Sequence, residues 1–195
     1  MYCGVELLYA LVLSLGAVTF GFILGYPSPV VPVLKVEFGI SQVQSTLFNA
    51  ISPLTAITGP FFSQVLLSFM GRKPATFAIA LCGTIFWALF LVMTKNTFWI
   101  GIILRALLGV VMGAFSSIIP LYIVELAPSG YSGFFGTINN LGISIGLVIL
   151  FLLGTWLSWK MLAITGAAIC LLLSLLVWLI PESPAKNEIA KGEKE

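Results

Sequence analysis

The sequence predicts an all-α membrane protein of six transmembrane helices, and three observations carry that prediction. Of its 195 residues 59% are hydrophobic and 8% are charged, whereas soluble domains run at about one quarter charged residues. The mean hydropathy is +1.12. Apolar runs of the ~20 residues needed to cross a hydrocarbon core about 30 Å thick recur six times between charged or turn-rich joints. A net charge of +2 over nine scattered basic residues forms no basic stripe, which excludes nucleic acid as a partner.

The residues that are missing narrow the chemistry. There is no His, and all seven acidic residues are Glu, so Asp is absent as well. That excludes a Ser-His-Asp triad, the usual His-containing metal sites and aspartyl phosphorylation. No enzymatic activity, metal or cofactor is expected. Cys3, Cys82 and Cys170 are odd in number and widely spaced, which suits buried packing thiols better than a disulfide framework.

The first span covers residues 7–26 and is too long, and too poor in basic residues at its start, for a cleaved signal peptide. A joint opening with Pro27-Ser28-Pro29 and running to Gly39 separates it from the second span, 45–69, where Pro53 and Pro60 predict bends. Gly71-Arg72-Lys73-Pro74 leads into the third span, 75–94, and Lys95-Asn96 into the fourth, 98–124. The fourth carries Arg105, a Gly109/Gly113 pair at the spacing of close helix crossings, and Pro120. Pro128-Ser129-Gly130 precedes the fifth span, 133–156, and Ser158-Trp159-Lys160 the sixth, 161–180. Residues 1–184 read as one six-helix unit and 185–195 as a charged, solvated tail. Setting the start of the first helix in the cytoplasm puts Arg72, Lys73, Lys186, Lys191 and Lys194 inside and Lys35, Lys95 and Lys160 outside, a bias that predicts both termini inside.

Two helices carry polar stripes that lipid would not require: Thr137, Asn140 and Ser144 in the fifth span, and Asn49, Ser52 and Thr55 or Ala56 in the second. Taken singly, each residue reads better as an interhelical hydrogen bond or a close contact. Taken together, the stripes read as a water-accessible pathway in the bundle. Arg105 and Glu125 share the fourth helix but stand about 30 Å apart at a rise of 1.5 Å per residue, so they cannot pair. Arg105 must therefore find backbone carbonyls, reach outward to the interface, or meet a partner elsewhere. No titratable acid or His falls near the middle of a pathway, which predicts uncoupled movement rather than proton symport. No paired N-P-A loops or selectivity-filter sequence supports a pore.

Four pieces in order, at the right helix ends, carry a resemblance. They are Gly71-Arg72-Lys73 between the second and third spans; Arg105-x-x-x-Gly109-x-x-x-Gly113; Pro120-x-Tyr122-x-x-Glu125-x-Ala127-Pro128; and Pro181-Glu182-Ser183-Pro184 after the sixth. The chain resembles, over nearly its whole length, the amino-terminal half of the sugar porters of the major facilitator superfamily. The Gly25-Tyr26-Pro27-Ser28-Pro29 segment is similar to vesicular-type facilitative glucose transporters and insect-type trehalose transporters. The resemblance implies a 3+3 helix repeat, an integral multi-pass protein of the plasma membrane or an endomembrane, and a hexose or disaccharide as substrate.

It also implies a site. The family's sugar-contacting glutamine falls on Asn140, with Ile143 and Leu147 on the same helix face as its apolar wall. In proton-coupled members an aspartate stands where this chain has Ile23, after Phe20-Gly21-Phe22, in agreement with facilitative transport. Departures from the family are Ser68, Phe69, Ser132 and Ala185 at positions of the cytoplasmic charges that latch the two halves, and Leu104 in place of a glycine. The family continues through an intracellular helical domain and six further helices. Activity of a half would therefore call for a homodimer or a separate carboxy-terminal half, and a non-transporting fragment is the alternative expectation.

Overall fold

The computed structural model describes residues 3–128 and 130–182. Six of its helical stretches are long and apolar enough to span a bilayer. Helices α1 (Cys3–Gly25) and α2 (Pro27–Phe38) make the first, and α3 (Gln42–Ala56) and α4 (Gly59–Met70) the second. The remaining four are α5 (Arg72–Phe90), α6 (Phe98–Leu126), α7 (Ser132–Gly154) and α8 (Trp159–Leu176), the last extended by a 3-10 turn, Val177–Leu179.

One joint differs from the sequence expectation, and the bend expected at Pro60 is a full break. The segment expected to be a joint is helix α2. Pro27 and Pro29 lie in its first turn, where amides lack intrahelical partners in any case, so they start the helix rather than break it. Val30, Val31 and Leu34 then bury one face, and Gly39 closes the helix with a left-handed φ of 66°. The second span is interrupted at Ile57 and Thr58, because Pro60 has no amide to continue the ladder and instead sits in the first turn of α4. Its start is well specified: Ser41 and Gln44 form a reciprocal capping box at 3.2 and 2.8 Å.

Helix α6 is the centre of the bundle. In its most apolar stretch 61% of residues are buried, against 17% in the α3–α4 span and in α7. Two glycine seams build the packing. Along α1 and α7, a methyl group on Gly21 would strike the Ile143 carbonyl, and one on Gly146 would strike the Val18 carbonyl. Along α3–α4 and α6, methyls on Gly109 and Gly113 would strike the Ser52 and Ala56 carbonyls, and one on Gly59 would strike the α6 backbone. Backbones in contact at small residues are the usual solution where no hydrophobic force drives helices together within lipid.

The pairings carry an internal symmetry. The first span pairs with the fifth, the second with the fourth, and the third with the sixth. Exchanging spans one to three with spans four to six maps the first seam onto the second and the third pairing onto itself. The contacts therefore have the order of a 3+3 repeat.

Candidate functional site

Most of the motif residues gather at one end of the bundle, where α5 begins and α6 and α8 finish. Gly71 ends α4 and starts α5 with φ 91°, a backbone conformation that side-chain-bearing residues avoid. Arg72 then grips Glu125 with two hydrogen bonds, Nε to Oε2 at 3.1 Å and Nη2 to Oε1 at 2.9 Å. No side chain within α5 caps its amino end. Glu182 does so from 110 residues away: its Oε1 accepts from the Arg72 amide at 2.9 Å and the Lys73 amide at 3.2 Å. A carboxylate on the free amides of a helix start is favoured by hydrogen bonding and by the helix dipole together.

The neighbouring residues tighten this clasp. The Tyr122 hydroxyl donates to the Pro181 carbonyl at 2.7 Å. Lys73 Nζ donates to the Trp178 carbonyl at 2.7 Å and lies 5.4 Å from the Trp178 ring centroid. Pro120 lies half-buried inside α6. Ser183 lies outside the described residues, as does the 185–195 tail. Charges that the sequence could only assign to a motif prove to form one cross-tie that joins the start of α5 to the end of α6 and to the segment after α8.

The opposite end holds Arg105, which is fully buried. Of the three alternatives open from sequence, the backbone carbonyl is the one found: Nη1 donates to the Ile23 carbonyl at 2.9 Å. The guanidinium lies 5.8 Å from the Tyr26 ring centroid and 5.4 Å from that of Phe48, within cation–π range of both. Tyr26 in turn donates to the Trp159 carbonyl at 2.8 Å, and Trp159 Nε1 donates to Glu37 at 2.9 Å. These aromatic partners were not anticipated. Tyr26 appears in the sequence as the last residue of the first span, and only the fold sets Phe48 beside it.

The two polar stripes have different fates. In the second span Ser52 is buried and donates to the Arg105 carbonyl at 2.6 Å, and Thr55 donates to the Ala106 carbonyl at 2.7 Å, so both are packing bonds onto α6. Asn49, by contrast, is exposed. On α7, Thr137, Asn140 and Ser144 are all exposed and line one open depression with Phe134, Ile138 and Leu141. Ile143 and Leu147 are half-buried and lie toward α1, the first with its carbonyl against Gly21 and the second with its side chain near Gly25. The amide and the two apolar residues thus occupy adjoining strips of one helix, the amide uncovered and the apolar pair flanking the α1 seam. A second hollow, of about 170 Å³, lies among α4, α5 and α6 and is lined by apolar side chains and Cys82.

Comparison with known proteins agrees with this geometry. The profile described as Major Facilitator Superfamily matches residues 13–195. The chain belongs to the major facilitator superfamily. Within the superfamily it corresponds to an amino-terminal half of a sugar porter. "Sugar transporter ERD6-like 6" of Arabidopsis thaliana is 33% identical over 89% of this chain and 35% of that protein. "Facilitated trehalose transporter Tret1" of Bombyx mori is 31% identical over 94% and 36%. "Solute carrier family 2, facilitated glucose transporter member 6" of Homo sapiens is 31% identical over 93% and 36%. The chain therefore spans about one third of the length of these relatives.

Among solved structures, the inward-open xylose transporter XylE from E. coli superposes with a TM-score of 0.79 at 21% identity, over 92% of this chain and 49% of that one. That likeness establishes the fold: an all-helical bundle of six transmembrane helices equivalent to about half of the transporter. In this sugar-porter half, the clasp at Arg72 ties the helix ends together, and the α3–α4 span and α7 are the least covered parts of the bundle.

Proposed function

We propose that the chain forms one half of a facilitative sugar carrier for a hexose or disaccharide, with Asn140 as the amide that reads sugar hydroxyls and Ile143 and Leu147 as the apolar wall. The observation that carries this reading is the uncovered polar face of α7, where Thr137, Asn140 and Ser144 stand exposed in a helix otherwise fit for lipid. An amide offers two donors and an acceptor, which matches paired hydroxyls, while ring carbons pack on apolar side chains. The names of the relatives, which include sugar, trehalose and glucose transporters, support the substrate class.

Movement in this reading is uncoupled from protons. Position 23 is Ile, and Arg105 spends its hydrogen bond on the carbonyl of that residue, with no carboxylate bonded to it among the described residues. Both termini lie in the cytoplasm, on the side of Arg72 and Lys73, by the loop-charge bias. Residues 1–184 act as the half-carrier unit with 185–195 as its charged tail, and a second six-helix half closes the cavity, either a parallel second copy or a carboxy-terminal half.

Purified chain in liposomes is expected to equilibrate a labelled hexose or disaccharide without moving the lumenal pH, and Asn140→Ala is expected to slow that flux. Accumulation above the external sugar concentration, driven by a proton gradient, would refute uncoupled movement. A non-transporting half is the second reading. Absence of flux from liposomes in which crosslinking has verified a parallel dimer would decide for it.

A further inference from the structure

Pro27 has no N–H, so the Ile23 carbonyl four residues earlier cannot receive the backbone bond that would carry α1 into α2. The chain nevertheless stays helical through the joint. Tyr26 keeps φ −48° and ψ −39°, and its amide still reaches the Phe22 carbonyl at 3.1 Å. Ile23 and Tyr26 are both fully buried, in a setting where an unpaired acceptor is costly. The donor found at the Ile23 carbonyl belongs to α6: Arg105 Nη1, at 2.9 Å.

We propose that Arg105 is a positioning residue that takes the place of the missing Pro27 amide and so fixes the angle at which α2 leaves α1. The placement of Arg105 fits the task. Its own backbone is tied to α3 through Ser52 Oγ at 2.6 Å, and the Tyr26 and Phe48 rings flank its guanidinium. Among the described residues its Nε and Nη2 have no partner, and the Ile23 carbonyl is its one hydrogen-bond acceptor. The far end of α2 is pinned separately, by Glu37 on Trp159 Nε1 and by the Phe38 ring 5.8 Å from that of Trp159. The finish of α2 is thus held on α8, and at its start the Tyr26 hydroxyl reaches the Trp159 carbonyl at 2.8 Å while Arg105 holds the last turn of α1 from which α2 departs. The joint is built this way whether or not sugar crosses the membrane, so its test and the flux test succeed or fail separately.

The test is amide hydrogen exchange of the full chain in lipid nanodiscs, read by mass spectrometry over the amides of residues 28–38 against those of α5 and α8. Arg105→Leu is expected to speed exchange in 28–38 by about ten- to a hundredfold relative to α5 and α8, the range expected for losing a hydrogen bond from a charged donor. Arg105→Lys, which keeps a cationic donor, recovers part of the protection. Pro27→Ala in the Arg105→Leu background returns a backbone N–H to the Ile23 carbonyl and restores most of it. Equal acceleration in all helices, or a double variant no better protected than Arg105→Leu alone, overturns the assignment. Should Arg105→Leu fail to accumulate, accumulation of the double variant answers the same question: recovery supports the substitution of donors, and no recovery refutes it.

Discussion

Replacing Gly113 with alanine puts one methyl group where α6 touches the second span backbone to backbone. The added carbon would stand 2.9 Å from the Ala56 Cα and closer still to the Ala56 carbonyl. Because those atoms are main chain, no rotamer change relieves the contact, and the helices must part. Overpacking of a tight site costs about 1–3 kcal/mol. Parting also lengthens the Ser52 bond to the Arg105 carbonyl and the Thr55 bond to the Ala106 carbonyl, now 2.6 and 2.7 Å. Interhelical bonds of this kind in membranes average about 0.6 kcal/mol each. Against this, alanine in a helix interior is favoured over glycine by about 1 kcal/mol. The net expectation is a loss of about 1–3 kcal/mol, a large share of the 5–15 kcal/mol typical of folded domains.

A control isolates the collision from the propensity. Gly136 lies within α7, and a methyl there meets nothing within 4 Å, so Gly136→Ala should be neutral or stabilising by up to about 1 kcal/mol. Reversible unfolding in mixed micelles of rising SDS fraction, followed by tryptophan fluorescence, measures both variants against the parent chain. Equal stability of Gly113→Ala and the parent, or equal damage from the two substitutions, would refute the backbone-contact account of this seam.

Three further outcomes are expected. Glu182→Gln removes the anion from the start of α5 and should cost about 0.5–2 kcal/mol, with amide exchange accelerated over residues 72–76 first; unchanged exchange there would deny Glu182 its capping role. Arg72→Ala and Glu125→Ala should each destabilise, and their combination should cost less than the sum, with a coupling of about 1–3 kcal/mol in a double-mutant cycle. Strict additivity would mean that the 2.9 Å pair contributes nothing. Ser52→Ala should lose about 0.6–1.7 kcal/mol while Asn140→Ala stays within about 0.5 kcal/mol of the parent, because the first removes a packing bond and the second truncates an exposed amide; the reverse order would exchange the roles given to the two stripes.

How far the sequence could be read depended on the range of the interactions involved. Spans were legible because a bilayer imposes its own length on each apolar run, and the break before α4 was legible because Pro60 removes a specific amide. Helix α2 was not. Proline marks both turns and first helical turns, and only the burial of Val30, Val31 and Leu34 against the bundle decides between them. The clasp residues were visible as a motif, yet Glu182 gave no local sign of capping a helix 110 residues away. Likewise, Arg105 was plainly in need of a partner, while the feature that supplies one, Pro27, is a residue whose effect falls on the carbonyl of Ile23. The stripes of Asn49, Ser52 and Thr55 and of Thr137, Asn140 and Ser144 look alike in sequence because helical spacing says which residues share a face and nothing about what that face meets.

The pairing of spans gives those faces their significance. Exchange of the first and fourth spans, and of the second and fifth, carries the α1–α7 seam onto the seam of α6 with α3–α4, so the second and fifth spans are equivalent positions in the repeat. They are also the two least buried spans, at 17% each, and they carry the exposed amides Asn49 and Asn140. Hydrocarbon would leave such amides unpaired, at a cost of about several kcal/mol each. Protein or water must therefore cover both. A partner that closes over both equivalent spans would leave a water-lined space bounded by amides and apolar side chains, which is the chemistry a sugar requires; a partner that packs dry against them would have to supply a hydrogen bond to each amide. The flux measurement and the Asn140→Ala substitution separate these two cases, because a dry interface loses stability of the pair when Asn140 is truncated, whereas a wet one loses only flux.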